Sequence, residues 1–304
     1  MINKCVKYHI PVMLKNSVDA LEVKAGGVYV DATYGGGGHS REILSRLGDG
    51  TLVAFDGDAD AERNLPDDRR IIFVRNNFRF MRNFLRYHGI CAADGIIADL
   101  GVSSHHFDDS ARGFSFRFPD APIDMRMNRS AELTAAGALN RYSPERLSAI
   151  FAEYGELQRS GRIAAAIVEA RLTKPFELVA DLLEAVAAFV PKSDGNRFLA
   201  RLFQALRMEV NGEMAALKHF LGQTVETLTP GGRLAVISYH SLEDRAVKLF
   251  MRNGNTEGRT DKDFYGNEIT PFLRPAGKAI APDDDEIENN PRSRSARLRV
   301  AQKK

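Results

Sequence analysis

Three aspartates, Asp31, Asp56 and Asp99, stand where apolar runs end. The first opens a glycine run, Asp31-Ala32-Thr33-Tyr34-Gly35-Gly36-Gly37-Gly38-His39-Ser40. Four consecutive glycines remove every Cβ from that turn, so backbone can approach a ligand closely and a positive φ costs little. A helix-like run, Arg41 to Leu47, follows and offers unpaired N–H groups at its start to polar or anionic atoms. An acidic residue about 20 positions after such a turn typically accepts hydrogen bonds from ribose hydroxyls. Asp56 occupies that place. The chemistry implied is recognition of a nucleoside-containing cofactor. The dinucleotide fingerprint asks for glycine or alanine at its sixth position, where this chain has Ser40. A carboxylate at Asp31 would repel a pyrophosphate and welcome a cationic amino-acid moiety. The two residues favour S-adenosylmethionine over a nicotinamide dinucleotide.

These residues need a sheet to hold them. Gly27-Val28-Tyr29-Val30 leads into the glycine turn, and Thr51-Leu52-Val53-Ala54-Phe55-Asp56 reads as a second strand. Ile71-Ile72-Phe73-Val74 is a third, ending at Asn76-Asn77-Phe78, and Gly95-Ile96-Ile97-Ala98-Asp99 is a fourth. A short helix over Ser17 to Leu21 precedes them. Strands alternating with helices predict an α/β fold with a parallel sheet and right-handed crossovers.

The pattern then changes. Residues 105–130 are rich in charge, aromatics and turn formers. From Ser143-Pro144, a good N-cap and first-turn pair, apolar residues recur at helical spacing (Leu147, Ile150, Phe151, Tyr154) until Gly155. Ile163 with Ile167, and Leu178, Leu182, Leu183, Val186, Phe189 and Val190, give two more helical faces. The sheet pattern resumes with a helix over Met214 to Leu228, a turn at Pro230-Gly231-Gly232 and a strand from Arg233 to His240. Arg297-Leu298-Arg299-Val300 alternates as a closing edge strand would. The polar stretch 254–291, with its acidic run Asp283 to Glu286, is too long for an ordinary connection and reads as a functional or partly disordered loop. The domains expected are therefore 1–109 with 201–304 for the cofactor, and an inserted all-helical domain over 110–200 for substrate recognition.

Bulk composition sets the limits. The 304 residues, 44% hydrophobic and 27% charged, suit a soluble globular protein with a core large enough to need no disulfide. Cys5 and Cys91 form no paired or metal-spaced motif, which fits a reducing cytoplasm. No run of about 18 apolar residues and no signal peptide is found, so no membrane partner is expected. A net charge of +2 does not announce a nucleic-acid binder, so any RNA contact must come from local patches.

Taken together, the motifs resemble the bacterial RsmH (MraW) family over nearly the whole chain. The resemblance rests on Asp31 to Ser40, Asp99-Leu100-Gly101-Val102-Ser103-Ser104, Arg112-Gly113-Phe114-Ser115-Phe116 and Asp124-Met125-Arg126-Met127. It continues through Tyr154-Gly155-Glu156, Phe203-Gln204-Ala205, Ser238-Tyr239-His240-Ser241-Leu242-Glu243-Asp244-Arg245 and Asn290-Pro291-Arg292-Ser293-Arg294-Ser295. It implies a class I (Rossmann-like) methyltransferase sheet with a helical insert. The activity implied is methylation of the exocyclic N4 amine of a cytidine in the decoding region of 16S ribosomal RNA. It implies cofactor contacts at Gly37, Gly38, His39, Asp56, Phe78 and Asp99. His105-His106 stand where the family has Pro-Gln, so the glutamine's contact falls on His106. The partner implied is 16S ribosomal RNA within the small subunit, in the cytoplasm, with a homodimer left open.

A cytosine amine is conjugated with its ring and is a poor nucleophile, so it needs an acceptor for its proton. Asp99 at a strand end suits that role or the holding of the cofactor's ammonium, and Ser103 and Ser104 suit orientation of the base. Ring-carbon methylation would need a cysteine nucleophile, and no Pro-Cys pair occurs. His39, His105, His106 and His240 match no metal motif, so no metal is expected. Two basic groups suit RNA phosphate or a solvated surface: Arg292, Arg294, Arg297, Arg299, Lys303 and Lys304, and Arg159, Arg162, Arg171 and Lys174. Phe114, Phe116 and Phe118 alternate in a loop, suited to stacking on an extruded base or to docking the insert on the sheet. The alternatives that remain are a nicotinamide-dependent oxidoreductase and a non-catalytic RNA-binding assembly factor.

Overall fold

The computed structural model describes residues 11–101, 109–273 and 278–304. The chain divides into two compact units, Met1–Gly101 with Met214–Lys304, and Val102–Glu213.

The first unit is built on a seven-stranded sheet of order β3-β2-β1-β4-β5-β9-β8. Its members are β1 (Val28–Asp31), β2 (Thr51–Asp56), β3 (Ile71–Arg75), β4 (Ala93–Asp99), β5 (Leu228–Ser238), β8 (Phe272–Leu273) and β9 (Arg297–Lys303). The first five pair in parallel, whereas β9 runs antiparallel to β5 and β8 antiparallel to β9. The inner strands read as unbroken apolar runs because both faces are covered. Tyr29, Leu52, Ile97, Ala235 and Ile237 point to one core. Their neighbours Val30, Val53, Ile96, Ala98, Leu234 and Val236 point to the other. The first face is closed by α1 (Leu14–Leu21) and α2 (Gly38–Arg46), through Val18, Leu21, Ile43 and Leu44. The second is closed by α3 (Met81–Tyr87), α9 (Glu213–Thr227) and α10 (Ser241–Asn253), through Leu85, Leu217, Phe220, Val247 and Phe250.

The strand order decides where chemistry can occur. From β1 the chain builds outward through β2 to β3, then crosses back to lay β4 on the other side of β1. The crevice outside the carboxyl ends of β1 and β4 is the switch point where ligands bind in open α/β sheets.

Two local readings change. The strand expected to reach His240 stops at Ser238, because His240 leaves the sheet to cap α10. Its side chain accepts the Glu243 N–H, and the Glu243 carboxylate in turn accepts the Tyr239 N–H at 3.1 Å. The stretch 254–291 is largely organised. It holds a two-stranded hairpin, β6 (Asp261–Lys262) with β7 (Glu268–Ile269), the edge strand β8, and α11 (Asp284–Asn289). The acidic run is the start of that helix. Asp283 accepts the Glu286 N–H at 2.8 Å, and acids in the first turn face the positive end of the helix dipole. Glu286 also accepts the Met13 N–H at 2.5 Å, tying this segment to α1.

The second unit is helical: α4 (Ala135–Arg141), α5 (Pro144–Glu153), α6 (Ser160–Thr173), α7 (Val179–Val186) and α8 (Gly195–Asn211). Ser143 caps α5 by accepting the Arg146 N–H. Helix α8 carries this unit past residue 200, where the sequence pattern places the return to the sheet. Phe114 is buried in the unit's own core, with Phe116 and Phe118 packed against it. Phe116 meets Phe203 edge to face at 5.7 Å. Phe114 fills the core of the unit that carries it, and Phe116 and Phe118 pack against that core, which corrects the reading of Phe114 as part of a stacking platform.

Phe151 on α5 has no exposed surface, whereas Leu172 on α6 is 83% exposed. Phe151→Ala is expected to cost about 3–5 kcal/mol in denaturant unfolding followed by circular dichroism. Leu172→Ala is expected to stay within about 0.5 kcal/mol. Equal effects would contradict the assignment of this core.

Candidate cofactor and active site

The glycine turn is locked by β2. Asp56 accepts the Gly35 N–H on one carboxylate oxygen at 2.7 Å and the Asp58 N–H on the other at 2.8 Å. Asn64 donates to the Gly35 carbonyl, Arg41 donates to the Gly36 carbonyl at 2.6 Å, and the Tyr34 hydroxyl donates to the Asn64 carbonyl. The absent side chains serve two purposes. A Cβ on Gly38 would lie 2.0 Å from Pro11 Cγ, and one on Gly37 would lie 2.5 Å from the Tyr34 hydroxyl oxygen. Those two glycines let the chain pack on itself. Gly35, at φ +51°, differs: a Cβ there would meet nothing nearer than 3.9 Å, so its face is open to a ligand.

Asp31 and Asp99 end β1 and β4, the two strands that flank the switch point. Asp31 is buried. One of its oxygens accepts the Ser40 hydroxyl at 2.6 Å and the other the Thr33 N–H at 3.0 Å. Ser40 therefore stands at the sixth position of the turn as the partner of Asp31. Burial pushes the Asp31 carboxyl up to about 6, against the pull of those two hydrogen bonds.

Asp99 is half-buried. Its N–H donates to Thr33 Oγ1 at 2.6 Å, and its Oδ1 accepts the Tyr239 hydroxyl at 2.7 Å. Burial pushes this carboxyl up to about 6 as well. His39 and the Tyr239 hydrogen bond act to lower it, while Asp31 and Glu243 act to raise it. The Tyr239 phenol is itself raised, first by burial and then by the charge on Asp99, so it stays protonated and donates.

The other expected contacts fall as follows. His39 is buried, and its Nε2 lies 3.1 Å from the Val12 carbonyl. A carbonyl only accepts, so that nitrogen carries a proton and the ring is engaged by the chain. Phe78 opens a short 3-10 turn just past β3. It is half-buried and meets Phe220 edge to face at 5.2 Å, so one edge belongs to the core. Ser103, Ser104, His105 and His106 lie outside the described residues. Sequence reasoning assigns Tyr239 no role of its own. Its role depends on β5 lying beside β4, a pairing across well over a hundred residues that no local spacing displays.

The basic groups divide. Arg299 makes a two-pronged pair with Asp244 at 2.7 and 2.9 Å, and Lys303 donates to the Leu228 carbonyl. In the second unit, Arg171 donates to the Leu139 and Tyr142 carbonyls, and Lys174 pairs with Asp181 at 2.6 Å. Arg159 and Arg162, by contrast, are exposed. No helix among the described residues is long and apolar enough to cross a membrane.

The family model described as the MraW methylase family matches residues 6–304. Ribosomal RNA small subunit methyltransferase H of Bacteroides fragilis is 58% identical over 298 residues, covering 98% of both chains. Its namesake from Flavobacterium johnsoniae is 52% identical over 299 residues, again covering 98% of both. Among solved structures, an rRNA methylase from Streptococcus thermophilus is 14% identical with a TM-score of 0.42, covering 97% of this chain and 98% of that one.

Two expectations follow from the carboxylates. Asp31 and Asp99 are ionised above about pH 6 and neutral below it, and a cationic group binds the ionised form. Affinity for S-adenosylmethionine, measured by calorimetry, should be flat from pH 8 to 7 and fall about tenfold per group by pH 5. A flat profile down to pH 5 would show that neither carboxylate meets the cation. Asp56→Ala removes charge-assisted hydrogen bonds of ~1.5–3 kcal/mol each, less what water restores. Affinity should fall at least tenfold, and the thermal midpoint should drop because the Gly35 and Asp58 N–H groups lose their acceptor. A lower midpoint with unchanged affinity would leave Asp56 a purely structural role.

Proposed function

The chain belongs to the MraW methylase family, and on that premise we propose that it methylates the exocyclic N4 amine of a cytidine in the decoding region of 16S ribosomal RNA, using S-adenosylmethionine. The observation that carries the cofactor half of this reading is the donor set around the turn. Three aspartates, Asp31, Asp56 and Asp99, end neighbouring strands, and those of Asp31 and Asp99 are satisfied by neutral donors alone among the described residues. Such a set suits ribose hydroxyls and an ammonium and repels a pyrophosphate. It supports setting aside the nicotinamide alternative, and family membership supports an enzyme over a non-catalytic assembly factor. A ribosomal RNA substrate implies a cytoplasmic enzyme.

When bound, S-adenosylmethionine supplies an electrophilic methyl group on a positively charged sulfur. The Asp56 carboxylate accepts the ribose hydroxyls, and the open face of Gly35 allows the adenosine close to the backbone. Phe78 offers its free edge to the adenine region. Asp99, with Asp31 behind it, receives the ammonium. Transfer of that methyl would be an in-line displacement by the cytosine amine, with the sulfur as leaving group and one amine proton passing to an acceptor on the protein. Positioning supplies most of the rate in such a displacement. Asp99, at the end of β4, would accept that proton, and Ser103 and Ser104, which follow it in the chain, would orient the base. Ring-carbon methylation is disfavoured, since it needs a cysteine nucleophile and no Pro-Cys pair occurs. The second unit contributes RNA recognition through Arg159 and Arg162, the exposed members of its basic group that make no side-chain hydrogen bond or ion pair among the described residues.

The decisive experiment treats small ribosomal subunits from cells lacking this protein with the purified enzyme and cofactor, then identifies the modified nucleoside by mass spectrometry. N4-methylcytidine at a single decoding-region position is expected. A methyl on ring carbon or ribose oxygen would overturn the amine assignment. For Asp99→Asn, single-turnover rates at saturating cofactor separate two roles. Recovery to near the wild-type rate leaves Asp99 only a binding role, whereas a persistent loss marks an interaction made in the transition state. Reversing Arg159 and Arg162 to glutamate should weaken RNA binding and flatten its logarithmic salt dependence by roughly 1.5 to 2. Cofactor affinity should hold, and an unchanged salt slope would make this face merely solvated.

A further inference from the structure

We propose that the Tyr239 hydroxyl is a positioning group that holds the Asp99 carboxylate, charged and correctly turned, to receive the cofactor's ammonium. The inference rests on the reading of Asp99 as a cofactor carboxylate and adds a residue to it.

The geometry is specific. Tyr239 is the first residue past β5, and its backbone is pinned because its N–H donates to Glu243 Oε2 at 3.1 Å. The tips of β4 and β5 are held in register, with Asp99 opposite Ile237 and the Leu100 N–H on the Ile237 carbonyl at 2.9 Å. Just beyond, Gly101 adopts φ +103°, and a Cβ on it would lie 3.5 Å from the Tyr239 ring. The phenol oxygen arrives 2.7 Å from Asp99 Oδ1, while Thr33 fixes the Asp99 backbone from the other side. Oδ2 has no hydrogen-bond partner among the described residues.

The charged surroundings explain why a phenol suits this place. Asp99 is faced by His39 from α2, Asp31 from β1, Tyr239 from β5 and Glu243 from the first turn of α10. Two of those four are carboxylates that disfavour a further negative charge. A lysine or arginine in place of Tyr239 would support the charge but would also neutralise it, leaving little for the ligand. A hydroxyl donates one hydrogen bond, adds no charge, and leaves a whole negative charge for a cation. The ring cannot take over the negative charge, because its phenol is held protonated by burial and by Asp99.

Tyr239→Phe keeps the ring and its packing and removes only the hydroxyl. Calorimetric affinity for S-adenosylmethionine is measured from pH 5.5 to 8.5 in both proteins. In the variant the pH at which affinity begins to fall should move up by about one unit, since Asp99 loses a hydrogen bond to its charged form. Affinity near pH 6 should then be roughly fivefold weaker than wild type, and at pH 8.5 within about threefold. The affinity of 5′-methylthioadenosine, which has the nucleoside and no ammonium, should match wild type throughout. Adding Tyr239→Phe to Asp99→Asn should change nothing further. A loss of the same size at every pH, or an equal loss for 5′-methylthioadenosine, would reduce Tyr239 to packing and overturn the inference. So would an unmoved profile. A wild-type protein whose affinity does not fall toward pH 5.5 would instead overturn the reading of Asp99 itself, and this inference with it.

Discussion

Holding a buried Asp31 and a half-buried Asp99 at the tips of adjacent strands is the constraint on which the rest of the site depends. A buried carboxylate without partners is far more costly than one in water, and two of them disfavour each other's charge. The protein meets that cost with neutral donors. Ser40 and the Thr33 N–H serve Asp31, and Tyr239 serves Asp99. Arg41, the cation nearest in sequence to the turn, is directed at the Gly36 and Asn64 carbonyls. The carboxylates are kept bound but not neutralised. A cationic ligand then gains twice, from attraction and from relieving a strained pair of charges.

Several features that look unrelated follow from this. Ser40 belongs to Asp31, which is why a dinucleotide-type glycine is absent there. The strand order β2-β1-β4 brings Asp31 and Asp99 to one crevice. Asp56 performs a second task at the end of β2, because its carboxylate also shapes the turn through Gly35. The end of β2 and the turn it holds are thus one mechanical unit.

The second unit shows how charge alone misleads. Of its four basic residues singled out by composition, Arg171 satisfies helix-end carbonyls and Lys174 is paired with Asp181. Arg112 is likewise buried and donates to the Arg126 and Met127 carbonyls. An arginine's five donors make it as apt for carbonyl groups within a fold as for phosphate. Exposure and partners together separate the two uses, and both belong to the folded chain.

The sequence by itself determined the parallel sheet, the glycine turn, the three aspartates at strand ends and the helical middle of the chain, because each is written in neighbouring residues. Apolar runs of strand length, a run of four glycines and a Ser-Pro helix start need no distant partner to be recognised. The class of cofactor was legible in the same way, from Asp31 and Ser40. Tertiary structure decided what those residues touch. It paired Ser40 with Asp31, brought Tyr239 to Asp99, gave Gly37 and Gly38 to internal packing, and ended β5 at Ser238 so that His240 caps a helix. It also sent Phe114 into a core, with Phe116 and Phe118 packed against it, and turned the acidic run at Asp283 into a helix start. The physical reason is the same throughout: hydrogen bonds and burial act between atoms a few ångströms apart, and residues far apart in the chain become neighbours only when the sheet is assembled.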